Sequence, residues 1–397
     1  MADVDEFRSE VRSWLEAHCP PSVVGHPISE LDGNWGGRKA SYTNPEMKQW
    51  LEVAAERGFT APTWPKEYGG GGLSPAEGKV LAQEMAIRKI PQPLMGFGLT
   101  MIGPTLLQFG TEAQKKEHLT KISAGEIRWC QGYSEPGAGS DLAGLQTKAE
   151  DRGDHYILNG SKIWTSYADQ ADWIFGLVRT KTDGKKQEGI TFILVDMETP
   201  GVSVSPILLI SGSSPFCETY FDDVKALKSN VVSEVNGGWT VAKALLGHER
   251  SMIADAFGGG GGGSRKTLAD LARSYFPESG AEVSDPVLRD DIAQNEMDTR
   301  AFTLTVQRAR DAAKAGHQPG PESSLFKVYA TELNQTRYEL MMRIAGPQSL
   351  GWEGAGFDPG ELDRTREWLR SRGNTIEGGT SEVQRNIIAK RVLGLPD

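Results

Sequence analysis

What most limits the folds open to this chain is the order in which its hydrophobic period changes. Val4, Phe7, Val11, Trp14 and Leu15 recur at helical spacing. A second helix is predicted over 47–57, stopping at Gly58, and a third starts near Pro75 and carries Val80, Leu81 and Met85. From about residue 126 to 232 the period drops to two. Residues 155–158 and 161–164 flank Asn159-Gly160, the dipeptide that a type I′ hairpin turn prefers, so a hairpin is expected there. The apolar runs 173–179 and 189–195 add further strands. Helical spacing then returns over 239–257, 264–274, 286–315, 321–344, 362–370 and 381–393. The last of these has a capping-box pattern in Ser381 and Gln384 and is closed by Gly394 and Pro396. Helices, then strands, then helices, without βαβ alternation, argue against a doubly wound nucleotide fold. The reading is an α+β multidomain chain: a helical domain over 1–125, an antiparallel β-barrel or sandwich over 126–232, and a helical domain over 233–397.

Composition narrows the function classes. The chain carries 43 basic and 53 acidic residues, a net charge of −10, where nucleic-acid binding calls for clustered Lys and Arg. Cys19, Cys130 and Cys217 are widely spaced with no CxxC, and the six histidines show no metal-ligand spacing, so neither a metal nor a disulfide framework is expected. The acidic start MADVDEFRSE lacks the layout of a signal peptide, and no run of 18 apolar residues suggests a membrane span. A cytoplasmic location is the expectation. Glycine is abundant, 47 of 397 residues against a usual share of about 7%, and asks for local explanations.

The richest of these is the segment YSEPGAGSDLAG from Tyr133 to Gly144. Pro136 disfavours helix, and Gly137 and Gly139 let a backbone pass close to a ligand. Ser134, Ser140 and free amides could cradle a phosphate or a heteroaromatic edge; the same composition also suits a plain turn between domains. It is neither a P-loop nor a GxGxxG.

YSEPGAGSDLAGLQTKA, followed by NGSKIWTS, resembles the acyl-CoA dehydrogenases, and TAPTWPKEYGGGG, FCETYFDDV, NGGWTVAKALLGHERSMIA and IEGGTSEVQRNIIAKRVLGLP are similar to further segments of that family in the right order. The resemblance implies a helical N-terminal domain, a middle β domain, a C-terminal four-helix bundle and a tetramer, with FAD between the last two domains. It places Gln131, Tyr133, Ser134, Gly139 and Ser140 along the flavin, Ser140 also near the acyl-CoA, and Trp164 and Ser166 against the isoalloxazine; Trp164 can equally be a core aromatic. Arg273 and Phe276 resemble the Arg-x-x-Phe element that reaches a neighbour's cofactor, although Pro277 replaces a glycine. Thr380 and Glu382 fall where the family has flavin contacts, at a helix N-terminus suited to phosphate. Arg343 and GPQSLG (346–351) depart from the family's double-glycine motif, but Gly346 still fits an adenosine contact.

The implied reaction is α,β-dehydrogenation of an acyl thioester, in which a carboxylate takes the α-proton. The family's commoner base position is occupied here by Gly378, with Glu377 one residue early. Its other position, in the first C-terminal helix, holds Glu249-Arg250. Leu245, Leu246, Met252, Ile253 and Ala256 form an apolar stripe that includes Glu249, and a carboxylate there must be paired or have work to do. Glu249 is therefore the expected base and Glu377 the alternative, with Arg250 and Gly378 facing the substrate. The six glycines 258–263 suit a linker, or else open the acyl pocket to a branched, polycyclic or steroid side-chain group. An electron-transfer flavoprotein is the expected acceptor, and the assembly is a homotetramer or a mixed tetramer with a homologous subunit. A silent partner subunit of such an oligomer and an oxidase-like flavoenzyme are the alternatives.

Overall fold

The computed structural model describes residues 2–26, 33–257, 267–276, 283, 285–316, 320–321 and 323–396, with the side chains of 2–3, 33, 248–257 and 314 outside that description. These residues form two compact units, 1–207 with 215–245, and 208–214 with 246–397.

The first unit opens with helices α1 (Ala2–His18), α2 (Pro45–Glu56) and α3 (Pro75–Ile87). Asn44 caps α2 and Ser74 forms a capping box with Glu77 on α3, each followed by proline in the first turn, where its missing N–H costs nothing. α1 and α3 are joined through Glu84, which is fully buried yet met by Arg8, Arg12 and Arg88 at 2.6, 2.9 and 2.6 Å. The hydrogen bond from Arg12 leads in holding this carboxyl down to about 2, against the opposing effect of burial. The short helices α4 (Gly103–Phe109), α5 (Glu112–Gln114) and α6 (Thr120–Ser123) complete the helical part.

The middle of the chain is one seven-stranded sheet, curled into a half-barrel. Its strands are β1 (Trp129–Gly132), β2 (Lys148–Asp151), β3 (His155–Ser166), β4 (Trp173–Arg179), β5 (Ile190–Asp196), β6 (Val202–Ile207) and β7 (Phe216–Leu227), in the order β1-β4-β2-β3-β7-β6, with β5 paired to β4. Most pairs are antiparallel as expected, but β4 runs parallel to both β1 and β2. β4 and β5 are buried along almost their whole length, whereas β6 alternates as a half-buried edge strand does.

One local expectation fails. Asn159-Gly160 is not a turn but the middle of the continuous strand β3, where the register against β7 shifts between Leu158 and Gly160. Gly160 is required there by its φ of 145° and by Thr147, whose Cα would lie 2.8 Å from an added Cβ. A bulge, rather than a hairpin, is what this dipeptide encodes.

Helix α7 (Gly238–Phe257) begins in the first unit and continues into the second. The second unit adds α8 (Leu268–Tyr275), α9 (Pro286–Lys314), α10 (Ser323–Ala345), α11 (Pro359–Ser371) and α12 (Ser381–Ile387), the last followed by one wider turn, Ile388–Val392. Leu268, Leu271 and Ala272 of α8 pack with Leu288 and Ile292 of α9 and with Leu340 and Ile344 of α10. The N-cap of α12 is Thr380, whose hydroxyl accepts from Val383 N at 3.2 Å; Ser381 is the first helical residue, so the cap lies one residue earlier than expected.

Candidate functional site: a glycine loop and a helix N-terminus

The loop between β1 and β2 carries four of the expected flavin residues, Tyr133, Ser134, Gly139 and Ser140. Its first turn is closed by reciprocal bonds, Glu135 N to Ala138 O at 3.1 Å and Ala138 N to Glu135 O at 2.9 Å. Pro136, Gly137, Gly139 and Ser140 are exposed on its outer side. Neither Gly137 nor Gly139 has a positive φ, and, among the described residues beyond its chain neighbours, a Cβ on either would meet no atom within 4 Å. The described fold therefore gives no reason of its own for glycine at these two positions.

The inner side of the loop is fastened to the sheet. Ile163 N donates to Ser134 O at 2.8 Å, which sets the loop beside the end of β3. Gln131 is half-buried on β1, and the buried Tyr133 ring meets Phe175 and Phe192 edge-on. Trp164 is 52% exposed at a φ of 61°, in a second register shift between Lys162 and Thr165, with its indole edge-on to Phe216. A large exposed aromatic held in a left-handed backbone at a bulge is a presented surface rather than a core residue. Ser166 is half-buried at the end of the same strand. The structure thus brings Ser134, Gly139, Ser140, Trp164 and Ser166 onto neighbouring segments of the first unit.

The sequence reading missed the side chains that hold the loop. Glu135 is buried and pairs with the fully buried Lys162 at 2.7 Å; it also accepts from Gln146 N at 2.5 Å and Thr147 N at 2.9 Å. Arg179 donates to Ala143 O at 2.6 Å and to Leu145 O at 3.2 Å, and the exposed Lys186 reaches Asp141 at 2.7 Å. A signal was present: Tyr156, Leu158 and Lys162 share the inward phase of β3, and an inward lysine demands a buried anion.

The second unit gathers Glu377, Gly378, Thr380 and Glu382 at the N-terminus of α12. Glu377 is occupied structurally: Arg370 donates to it at 2.8 Å and Asn374 at 2.7 Å, and its side chain is 40% exposed. That is not the apolar, unpaired setting a general base needs. Gly378 and Gly379 have φ values of 64° and 84°. Gln335 on α10 donates to Ser371 O at 2.9 Å, and Asn334 to Asn374 at 2.9 Å, stitching the 371–377 turn to the bundle. Gly346, at a φ of 55°, follows the end of α10 with open space around it. Arg273 closes α8, paired with Asp270 at 2.8 Å, and Phe276 is partly buried against the α8–α10 core. The backbone of α7 passes through 249 and 250, but the side chains of Glu249 and Arg250 lie outside the described residues, as do 258–263 and Pro277. Among the described residues no helix is long and apolar enough to cross a membrane, and no cluster of His, Cys, Asp or Glu could hold a metal.

Comparison with known families resolves what this arrangement belongs to. The family models "Acyl-CoA dehydrogenase, N-terminal domain", "middle domain" and "C-terminal domain" match residues 2–126, 130–224 and 236–393. The chain belongs to the acyl-CoA dehydrogenase family. Acyl-CoA dehydrogenase IpdE1 of Mycobacterium tuberculosis is 36% identical over 401 residues, covering 100% of this chain and 99% of its own. Among solved structures, the Tcur3481-Tcur3483 steroid ACAD superposes with a TM-score of 0.76 at 30% identity over 100% of this chain and 98% of its own. The ChsE4-ChsE5 complex from Mycobacterium tuberculosis gives 0.72 at 28% identity over 100% and 98%. Acyl-CoA dehydrogenases are FAD-dependent oxidoreductases. The open backbone at Gly137 and Gly139 and the presented Trp164 fit that cofactor.

Proposed function

We propose that this acyl-CoA dehydrogenase introduces an α,β double bond into a bulky acyl-CoA, with Glu249 as the base. Bound FAD supplies the hydride acceptor. Gln131, Tyr133, Ser134, Gly139, Ser140, Trp164 and Ser166 hold its flavin from the sheet. Arg273, Phe276, Gly346, Thr380 and Glu382 are the contacts of the helical unit, some of them reaching the cofactor of a neighbouring subunit. The carboxylate of Glu249 takes the α-proton, while Ser140, Arg250 and Gly378 line the acyl-CoA. The observation that carries the choice of base is the environment of Glu377, which is exposed and already bonded to Arg370 and Asn374. Gly378, where many relatives keep a carboxylate, has no side chain to offer.

The relative named as a steroid enzyme, similar over the whole chain, supports a branched, polycyclic or steroid side-chain acyl group. Two solved relatives are complexes of two differently named chains, which supports a mixed tetramer and keeps the silent-partner reading open, whereas nothing observed favours an oxidase. An electron-transfer flavoprotein is the acceptor in this proposal, and the three free cysteines suit a reducing, cytoplasmic compartment. The test is anaerobic bleaching of the flavin by a panel of acyl-CoAs, in the native chain and in Glu249→Gln. Bulky acyl-CoAs should bleach the native flavin fastest. The variant should retain FAD and lose bleaching by a factor on the order of 10³. Native-like bleaching by Glu249→Gln removes the base assignment, and preference for a plain straight chain removes the bulky substrate.

A further inference from the structure

The glycine loop is held from within by charges that the chain keeps out of water, while on its outer face a Cβ on Gly137 or Gly139 would meet no described residue within 4 Å. Glu135 sits at the loop's beginning, and its carboxylate accepts from the amides of Gln146 and Thr147, where the chain re-enters the sheet. One side chain thus ties together two ends that are 11 and 12 residues apart. Lys162, 1% exposed, completes the knot: its ammonium donates to Glu135 Oε1 at 2.7 Å and to Tyr133 O at 3.3 Å. The residue after Lys162 binds Ser134 O through its amide, and the residue after that is Trp164. Three consecutive positions of β3 therefore fix the loop by a buried charge, fix it by the main chain, and present the exposed indole.

We propose that the Glu135–Lys162 ion pair is the positioning element of the flavin cradle, setting loop 134–140 at a fixed distance from Trp164. This rests on the placement of the flavin given above. A buried ion pair is seldom the most stable way to fill such a space, since an apolar pair of the same volume does as well or better. What the pair adds is direction. The ammonium aims at Tyr133 O and Glu135, and the carboxylate aims at two amides, so the backbone of the loop is held at both ends. The outer face stays free and ordered in advance of a ligand.

Protonation supports the same view. Burial comes first for both groups and opposes the charge of each. Lys162 is drawn down to about 8 in spite of the carboxylate beside it, whereas Lys162 and the hydrogen bonds from Thr147 and Gln146 hold Glu135 below the usual carboxylate range. With two backbone donors on the carboxylate and a 2.7 Å contact, the ionised pair is the neutral-pH form. It is lost as pH rises through about 8. Arg179, against Ala143 and Leu145, is the other cation bearing on the pair, and its guanidinium does not titrate in this range.

The experiment titrates the full-length apoprotein with FAD, recording affinity, the shape of the visible flavin band and the unfolding midpoint. It compares the native chain with Glu135→Gln, Lys162→Met and the double variant. Each single variant should bind FAD about tenfold or more weakly with an altered band. The double variant should recover the unfolding midpoint, because no buried charge is left unpaired, and yet remain about tenfold weak. Binding within about twofold of native with a native band, in either a single or the double variant, overturns the proposal. Should the single variants fail to fold, the double variant, in which no buried charge is left unpaired, decides alone by the same criterion. Trp164→Ala is the separate control on the flavin's location. If it leaves affinity and band unchanged, the placement fails rather than the pair.

Discussion

The chain has two glycine-bearing motifs among its candidate site segments, one in each unit, and they use glycine for opposite reasons. In loop 134–145, Gly137 and Gly139 have ordinary φ values and empty space where a side chain would go. Before α12, Gly378 and Gly379 take left-handed backbones that L side chains rarely adopt, and a Cβ on Gly379 would lie 2.6 Å from Gln384 Nε2. The carboxylates differ in the same way. Glu135 is buried and bonded to an ammonium and two amides, whereas Glu377 is 40% exposed and shares its charge with a surface arginine. In the first motif, glycine answers to no described neighbour. In the second, glycine and glutamate serve the turn itself.

The most forceful way to break this contrast is Gly139→Val. An exposed position with no φ strain and no neighbour within 4 Å should accept valine without loss of stability. In the proposed site the space it fills is the ligand's, so FAD affinity should fall by about a hundredfold or more, with the unfolding midpoint of the apoprotein unchanged. Equal FAD affinity in the variant, measured by titration, would mean that the outer face of the loop is only a surface turn.

Gly379→Ala probes the other motif and should behave in reverse. The φ of 84° costs an alanine about 1–2 kcal/mol, and Gln384, buried and donating to Gly378 O at 3.2 Å, resists moving aside. The expected reading is a lower midpoint in chemical denaturation at unchanged slope. A variant as stable as the native chain would show that the turn relaxes, and the contrast with Gly139 would then be one of degree.

How much of this could be read beforehand depends on the range of the interaction. The three-part order of periods predicted the three-domain architecture, whereas the expectation at Glu249 falls on a side chain outside the described residues. Local rules erred where a distant residue decides. Asn159-Gly160 has the composition of a hairpin turn, but the approach of Thr147 makes it a bulge in a continuous strand. Thr380 rather than Ser381 caps α12, because Ser381 N is already bonded to Thr375 O at 2.9 Å and the helix starts after that bond. Glu135 and Lys162 stand 27 positions apart, and Arg179 meets carbonyls 34 and 36 positions away, so no window of local sequence contains either fastening. Only the inward phase of Lys162 on β3 hinted that a buried anion was waiting for it.

The smallest expected effect carries the finest distinction. Glu377→Gln removes one member of an exposed pair with Arg370 and leaves an amide that can still accept from Asn374. An exposed pair of this kind is worth less than about 1 kcal/mol, so the unfolding midpoint should scarcely move. If Glu249 is the base, the rate of flavin bleaching by acyl-CoA should also stay within a factor of about two to three, since nothing proton-transferring has been altered. A loss of several hundredfold would have a different meaning. It would require Glu377 to leave Arg370 and Asn374 when substrate binds, and it would turn the α12 motif from a self-serving turn into the reactive one. The contrast between the two motifs therefore stands or falls on the mutation that, by every visible bond, ought to matter least.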